Sequence, residues 1–583
     1  MKIKYGNTLI VKISILVLVF SSILILFGTA WNSLSLKLTG LVLITLNVAL
    51  AIAFANKLKT FLLVFTITLY SLTLSISYEM LSDYPLGDDA HSEYFIVKRM
   101  YEGVQLAEIQ EEANKLFGIP EYYFEIINFL LSSNTISKIL GIDPLYTIKF
   151  TWNSLILGLI PLIVFVFAYS LVKDKKASVI SATLIVIQSS YLVTLHSTSK
   201  HVTALFLVSI TFLIIIRIIT KNRSHGDFLT LPMLAVGLTG YHYFVSGTFI
   251  VILTLGLLLQ YSITLLLKNR YTKLRSMGNA SYLVLVFVAI WITWYFIMFQ
   301  GLTYAVANLL IRLFTLEKPG YYYEHINIPM PAVLNLTRLA VNGIIVLNLI
   351  ASGLVAFSRL LRGGNYIDSI ILVASILYSI GALSELLGIS TLGVGRVSLT
   401  LMMFIAPYFY YPLTTVIRKF YKFPHKNVLI ALLIALIFAT RALISLGVLS
   451  YAFSDFEHSI FLDQNYKFKV SPSYADVQAT NFITKFIQRA VEIGIDLKSK
   501  QCFIYGPING TNVSLNTDYF KFLKNEQNPY RFTQIIYVSS YNVVENKVQL
   551  SVIDFEPLDR YLTYLMSISS LIYNSNYAYF FKL

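Results

Sequence analysis

Long apolar runs, each about as long as a membrane-crossing helix, recur along the chain up to residue 449. A helix needs about 20 mostly apolar residues to cross a bilayer. The pattern therefore predicts a polytopic α-helical membrane protein with about 13 transmembrane helices. The predicted segments lie near 9–29, 36–56, 58–78, 151–172, 178–196, 202–220, 228–241, 245–267, 280–300, 333–357, 367–388, 397–416 and 427–449.

Composition supports a membrane protein and argues against a nucleic-acid-binding one. The chain has 56% apolar and 13% charged residues, whereas soluble domains carry about 25% charged residues. Its net charge of +15 comes from short basic clusters between apolar runs, rather than from a basic surface on a polar domain. The one cysteine, Cys502, excludes both an internal disulfide framework and a CxxC metal site.

The basic clusters also predict orientation, because lysine and arginine are enriched in cytoplasmic loops. Every second loop is basic when the N-terminus, with Lys2 and Lys4, is placed inside the cell. The short outer loops then carry only Lys37, Lys200 and Arg396. The first apolar run is long and soon followed by another, so we interpret it as a retained anchor rather than a cleaved signal peptide.

This orientation divides the chain into two predicted domains. Residues 1–449 form a transmembrane domain with long outer loops at 79–148 and 301–332, and residues 450–583 form a small extracytoplasmic mixed α/β domain. In the second domain, 475–493 has helical periodicity, while QCFIYG (501–506) and QIIYVSS (534–540) have the pattern of strands. The last residues, 571–580, predict a hairpin.

The first outer loop carries a dense group of ionisable residues at its start, namely Asp88, Asp89, His91 and Glu93. If a helix begins at Asp89, Glu93 lies on the same face one turn later. Acids at a helix start can simply cap its free N–H groups. Clustered carboxylates also raise one another's pKa values, which suits a general base or a cation site. Both interpretations stay open at this point.

The segment DDAHSEY at 88–94, followed by KRM at 98–100, resembles the first-loop motif of the GT-C glycosyltransferase superfamily. The similarity is to the protein O-mannosyltransferase and aminoarabinose transferase type, or to an archaeal branch of it. It extends to the overall plan of many spanning helices, a large first outer loop and an extracytoplasmic C-terminal domain. One departure is that three helices, rather than one, precede the loop in this sequence.

The resemblance implies a membrane transferase that moves a sugar from a polyprenyl-phosphate donor to an extracytoplasmic protein, lipid or glycan acceptor. It implies that Asp88 or Asp89 is the general base for the acceptor, with Glu93 and His91 assisting. A divalent cation, Mg²⁺ or Mn²⁺, could bind at Asp88 and Asp89, because a carboxylate pair suits either a metal-dependent or a metal-independent enzyme.

Cationic candidates for binding the donor phosphate lie in later outer loops. Arg396 offers a planar fork that matches phosphate oxygens, although it could instead extend to the interface or pair with Glu385. His196, Lys200 and His201 come from one loop that is either a phosphate-binding segment or an ordinary polar turn.

Three further candidates lie in membrane segments, where ionisable residues usually face the protein interior. His242 either contributes to the same site or is a structural histidine. Arg338 and Arg441 lie at the predicted outer ends of their helices and are weaker candidates.

Two alternative functions remain at this stage. A transporter or flippase of lipid-linked sugars or other solutes would place ionisable residues near the bilayer midplane, often within paired repeats. The long apolar runs of this chain are mostly uncharged, and no repeat is visible. A non-catalytic assembly factor would have lost the acid pair or the outer cations, yet both are present. The pattern therefore favours a transferase over both alternatives.

Overall fold

The structure is a computed structural model in which most of the membrane part and separate pieces of the C-terminal part can be described. The described residues are 2–117, 124, 126–188, 190–191, 195–196, 198–220, 225–266, 274–298, 332–386, 394–420, 426–446, 448–449, 476–480, 491–494, 513–516, 533–539, 542, 547–549, 555–559, 561, 565, 570–574 and 579–582.

The described part of the chain up to residue 449 is almost entirely helical, as the long apolar runs predict. The helices are α1 (Lys2–Ala30), α2 (Leu34–Ala53), α3 (Thr60–Glu79), α4 (Asp88–Tyr101), α5 (Leu106–Phe117), α6 (Ile127–Leu140), α7 (Pro144–Val172), α8 (Lys175–Val186), α9 (Ser199–Ile219), α10 (His225–Tyr241), α11 (Tyr243–Leu266), α12 (Leu274–Ile292), α13 (Ala332–Leu361), α14 (Tyr366–Leu386), α15 (Val394–Ile405), α16 (Tyr410–Phe420) and α17 (Lys426–Ser445).

Nine helices among the described residues are long and apolar enough to cross a membrane, which defines a multi-pass helical protein. They are α1, α2, α3, α7, α9, α11, α13, α14 and the helix that combines α12 with the turns after it. The other four predicted runs contain α8, α10, α15 and α17, which do not meet that length and apolarity over the residues that the structure describes. The run 397–416 is divided because Pro407 has no N–H to donate, and a short 3-10 turn at Ala406–Tyr408 separates α15 from α16. A total of 13 crossings stays a prediction.

Helix α7 contains a widened π-helical segment, Thr147–Ile156, before it continues as a regular α-helix from Leu157. This helix begins at residue 144, seven residues before the predicted start at 151, so that boundary was wrong. Asp143 caps the helix by accepting a 2.7 Å hydrogen bond from the N–H of Leu145. Segments of π-helix are rare and occur often at functional sites.

The predicted first outer loop is itself helical, and its helices α4, α5 and α6 lie between α3 and α7. Helix α4 begins directly after Gly87, whose φ of 99° is a conformation that side chains other than glycine rarely adopt. The acidic segment is therefore ordered as a helix start, as the spacing of Asp89 and Glu93 predicts. The second predicted outer loop, 301–332, lies almost wholly outside the described residues.

The described C-terminal residues include seven short strands, β1 (Val491–Gly494), β2 (Val513–Asn516), β3 (Thr533–Val538), β4 (Lys547–Gln549), β5 (Phe555–Pro557), β6 (Ser570–Asn574) and β7 (Tyr579–Lys582). Five form a mixed sheet in the order β2-β1-β3-β7-β6. In this sheet β1 is parallel to β2 and β3, whereas β7 is antiparallel to β3 and β6. Strands β4 and β5 form a separate antiparallel pair.

These strands test three local predictions. Strand β3 confirms the strand predicted at 534–540, and the β6–β7 pair confirms the terminal hairpin. The helix predicted for 475–493 is helical at 476–480, but β1 begins at Val491, so its C-terminal end was wrong. The predicted strand 501–506 lies outside the described residues.

Two hydrophobic cores hold the described parts together. The larger joins the membrane helices, and the smaller joins α4, α5, α6 and α7 to residues of the C-terminal part. In the smaller core, Phe95 and Phe129 share a cluster with Val477, Ile493 and Tyr537. The C-terminal sheet therefore packs at the end of the helical bundle that carries α4, which agrees with placing both segments on one side of the membrane.

Candidate functional site

A fully buried carboxylate and imidazole meet where α3 ends. Glu79 is the last residue of α3, and its Oε1 lies 2.7 Å from Nδ1 of His196. Both side chains have 0% exposure. The His196 ring also packs on Tyr78, with the ring centroids 4.3 Å apart. This contact holds the segment before α9 against the end of α3.

The same segment is held from α7 as well. Nδ2 of Asn153, in the π-helical stretch, donates a 3.0 Å hydrogen bond to the carbonyl oxygen of His196. One turn earlier, Nζ of Lys149 donates a hydrogen bond to the carbonyl oxygen of Ser82, between α3 and α4. The π-helical stretch therefore supplies two polar side chains that position the segments flanking the candidate site.

A second buried carboxylate, Glu93 of α4, reaches the start of α9. Its Oε2 accepts a 3.0 Å hydrogen bond from the N–H of Ser199, and its Oε1 lies 3.7 Å from Nζ of Lys200. Glu93 is completely buried and Lys200 almost so. The acid predicted in the first outer loop thus meets Ser199, 106 residues later in the sequence, and the lysine that follows it.

Burial raises the pKa of the Glu93 carboxyl to about 7. The negative charge of Asp89 adds to the rise, whereas the positive charge of Lys200 and the hydrogen bond from the N–H of Ser199 oppose it. Glu93 therefore changes its charge near neutral pH, where an ordinary glutamate is fully ionised.

Two predicted histidines meet beside this pair. His201 follows Lys200 in α9, and its ring lies edge-on to the ring of His242, with centroids 4.9 Å apart. His242 lies between α10 and α11, and its Nδ1 accepts a hydrogen bond from the N–H of Phe244. Both histidines are buried. The structure therefore places His242 against the first turn of α9, which also contains Lys200.

The remaining acids lie in the first turn of α4. Asp89 is partly exposed and interacts electrostatically with Glu93. His91 is buried, and its backbone N–H donates a hydrogen bond to the carbonyl oxygen of Gly87, which closes the first turn of α4. Asp88 is the first residue of α4, but its side chain lies outside what the structure describes.

Arg396 lies in the first turn of α15, at the helix start that follows residue 393. Its side chain is also outside the described set, so its predicted contact with phosphate stays a prediction. The divalent cation predicted at Asp88 and Asp89 also stays a prediction. Among the side chains that are described, no group of three or more His, Cys, Asp or Glu residues is arranged to hold a metal ion.

Sequence reasoning missed Glu79 and Lys149 as members of this cluster. Glu79 is the residue after an apolar run and Lys149 precedes the next, so both resembled ordinary boundary residues. An acid directly at the end of a long apolar run was the available signal, because a charge at that position needs a partner when the helix end is buried. Its partner, His196, is 117 residues away and could not be deduced locally.

Comparisons with known proteins leave the family of this multi-pass membrane protein open. A scan against protein-family models finds no match, and no curated protein matches the sequence. A similar solved structure is that of the archaeal oligosaccharyltransferase AglB from Archaeoglobus fulgidus, in complex with an inhibitory peptide and a dolichol-phosphate. The two chains are 10% identical, the likeness covers 82% of this chain and 70% of the other, and the TM-score is 0.47. These values do not define a function for the chain.

Proposed function

We propose that this protein is a membrane glycosyltransferase that moves a sugar from a polyprenyl-phosphate donor to an acceptor outside the cytoplasm. The chemistry is assigned to the cluster where α3 ends and α4 and α9 begin. The acceptor is a hydroxyl or amide group of a protein, lipid or glycan. This assignment keeps the orientation that the basic loops predict, with the cluster on the outer face.

The observation that carries the proposal is the contact between Glu93 and the Ser199–Lys200 segment. Buried ionisable groups in a membrane protein are energetically expensive and usually mark functional sites. Here an acidic side chain, Glu93, and a basic one, Lys200, come from distant parts of the sequence and are buried together. Asp89 lies one turn before Glu93 in α4. A transferase of this class needs that combination, namely a carboxylate for the acceptor and a cation for the phosphate.

The exposures of the two described acids suggest different roles. Asp89 is partly exposed at the helix start, so it can reach the proton of an acceptor. We assign it the role of general base, shared with its neighbour Asp88. Glu93 is completely buried and engaged by α9, so we assign it the role of holding Lys200 in place.

In the proposed reaction, Asp89 removes the proton from the acceptor as the acceptor oxygen or nitrogen attacks the anomeric carbon. The bond from the anomeric carbon to the phosphate oxygen breaks, and the polyprenyl phosphate leaves with the bonding electron pair. Attack opposite the leaving group inverts the anomeric configuration. Lys200 stabilises the negative charge that develops on the leaving phosphate, assisted by His201, His242 and Arg396.

A charge-removing variant of Asp89 tests this proposal. Purified protein is given dolichyl-phosphate-linked radiolabelled mannose or glucose together with a protein and lipid extract as acceptor. We expect the wild type to transfer label and Asp89→Asn to lose at least about 100-fold of that rate, the usual range for a general base.

The matched control is Glu108→Gln, which removes an exposed acid from the first turn of α5, away from the cluster. If the acids of α4 only cap a helix, the two variants will behave alike. Full transfer by Asp89→Asn contradicts the assigned base. Movement of the lipid-linked sugar across vesicles without any transfer contradicts the enzyme and favours a flippase.

A further inference from the structure

A small cavity lies inside the helical bundle, between α2, α3, α8 and α17. Its volume is about 10 Å³, taken as the space open to the centre of a water-sized sphere. One water molecule needs about 10 to 15 Å³ of such space. The cavity therefore has room for a single water molecule and for nothing larger.

Two hydroxyl groups in the cavity wall lack a hydrogen-bond partner. Among the described residues, neither Oγ1 of Thr45 on α2 nor Oγ1 of Thr183 on α8 forms a hydrogen bond. The two residues are only 2% and 1% exposed. A third residue of the wall, Tyr70 of α3, also carries a hydroxyl, which lies close to Thr45. The rest of the lining is apolar, so these hydroxyls are its polar groups.

These two threonines differ from other buried threonines of the bundle. A threonine inside a helix commonly donates a hydrogen bond to the carbonyl oxygen one turn earlier. Thr211 on α9 does so, with its Oγ1 2.7 Å from the carbonyl oxygen of Leu207. Since Thr45 and Thr183 do not form this bond, their hydroxyls remain available to an occupant of the cavity they line.

Water outside the protein cannot satisfy these hydroxyls. Thr45 lies in the middle part of α2, a helix long and apolar enough to cross a membrane. Every residue of α8 from Lys176 to Val186 is buried. A buried hydroxyl without a partner is energetically unfavourable, and two that line one cavity require an explanation.

An internal water molecule fits this cavity better than a metal ion or an empty space. Buried waters typically form about three hydrogen bonds to polar groups that are otherwise unsatisfied. A hydroxyl can donate or accept, so three hydroxyls can all bind one water. A hard cation needs more oxygen ligands than three hydroxyls provide. Cavities that stay dry have purely apolar walls, unlike this one.

We propose that one water molecule is bound in this cavity and joins Thr45, Tyr70 and Thr183 by hydrogen bonds. It links α2 and α3 to α8 inside the bundle. Tyr70 precedes Glu79 by nine residues in α3, which corresponds to about 13 Å along the helix. The water site is therefore separate from the cluster assigned to transfer, and the inference does not depend on the proposed function.

Valine variants test the proposal, because valine replaces the hydroxyl by a methyl group of similar size. Thermal unfolding of the full chain in detergent is measured for Thr45→Val, Thr183→Val and the double variant. We expect each single variant to lower the unfolding temperature by about 1 to 2 °C, a small shift because the chain is large. The double variant should lower it by less than the sum, since both hydroxyls share one water.

A cavity without water would give the opposite result. Valine would then remove hydroxyls that have no partner, so each single variant would raise the unfolding temperature and the effects would add. A rise in either single variant, or additive effects, overturns the proposal. The matched control combines Thr45→Val with Thr211→Val. Because Thr211 bonds to Leu207 and does not line the cavity, these two effects should add.

An experimental density map that shows ordered waters provides the direct test. We expect a peak within hydrogen-bonding distance of Oγ1 of Thr45 and Oγ1 of Thr183 in the wild type. The peak should be lost in the double variant. A wild-type map without this peak overturns the proposal, and so does a peak that persists in the double variant.

Discussion

Two groups of buried charges, one at each end of the helical bundle, differ in how completely their polar atoms are hydrogen-bonded. Where α13 ends and α14 begins, Oδ1 of Asp368 accepts a 3.0 Å hydrogen bond from Nε of Arg359 and another from the hydroxyl of Tyr408. Its Oδ2 accepts a 3.0 Å hydrogen bond from the N–H of Asn365. Both oxygens of this acid are therefore fully engaged.

The cluster around α4 and α9 is different. One carboxylate oxygen of Glu79 and one of Glu93 have no hydrogen-bond partner among the described residues. The same is true of Nε2 of His196 and Oγ of Ser199. Buried polar atoms are nearly always satisfied in folded proteins, so a group of exceptions requires an explanation. We interpret the saturated network at Asp368 as structural and the unsaturated one as a site that receives a substrate.

Removal of the Lys200 charge should lower the rate of transfer more than any other change considered for these two clusters. We expect Lys200→Gln to lower kcat/KM for transfer at least about 100-fold, because it removes the cation next to the leaving phosphate. Lys200→Arg should recover part of the loss, since it restores the charge. Initial rates with a saturating acceptor measure both variants. Equal rates for wild type and Lys200→Gln contradict the assigned role.

The saturated network should respond in stability rather than activity. We expect Asp368→Asn to lower the free energy of unfolding by about 2 kcal/mol, at the low end for a buried pair, because Arg359 is half-exposed. The transfer rate per folded molecule should stay the same. Thermal unfolding in detergent and a rate normalised to folded protein provide the two measurements. A loss of transfer rate in Asp368→Asn without a loss of stability would show that the network at Asp368 has a functional role.

Glu79 should act by positioning. Glu79→Ala removes the acceptor for His196 and should lower transfer about tenfold, whereas Glu79→Gln should remain near wild type because its amide oxygen can still accept that hydrogen bond. The two variants are compared by kcat at saturating donor. If both lose activity equally, the charge of Glu79, rather than its position, is what matters.

The smallest predicted effect concerns pH. Since the pKa of Glu93 is raised to about 7, Glu93 gains a proton as the pH falls below 7 and loses its ion pair with Lys200. We expect transfer to fall a few-fold from pH 8 to pH 6 in the wild type, and this step to vanish in Glu93→Gln. A pH–rate profile measures it, and an identical step in the variant would exclude Glu93 as its source.

The same shift has a consequence for stability. The folded state holds the Glu93 proton more tightly than the unfolded state, whose carboxyl has a pKa near 4.5. The contribution of this group to stability is present below about pH 4.5 and is lost as the pH rises to about 7. Glu93→Gln should therefore flatten the decline in unfolding temperature over that window.

The sequence predicted local features well and long-range pairings poorly. Apolar length located the helices, and alternation located β3 and the terminal hairpin, because each depends on neighbouring residues. The pairing of Glu79 with His196 depends on how α3 and α9 pack, which no local pattern contains. The start of α7 was also missed, because Thr147 and Lys149 interrupt the apolar pattern, while each has a hydrogen-bond partner elsewhere in the fold.

A structure with a bound donor analogue tests the central claim most directly. The probe is a non-transferable phosphonate analogue of a dolichyl-phosphate sugar. We predict that its phosphonate lies within hydrogen-bonding reach of Lys200 and that its sugar faces the first turn of α4, with Asp89 near the anomeric carbon. A phosphonate bound where none of the α4 and α9 residues touches it would contradict the account.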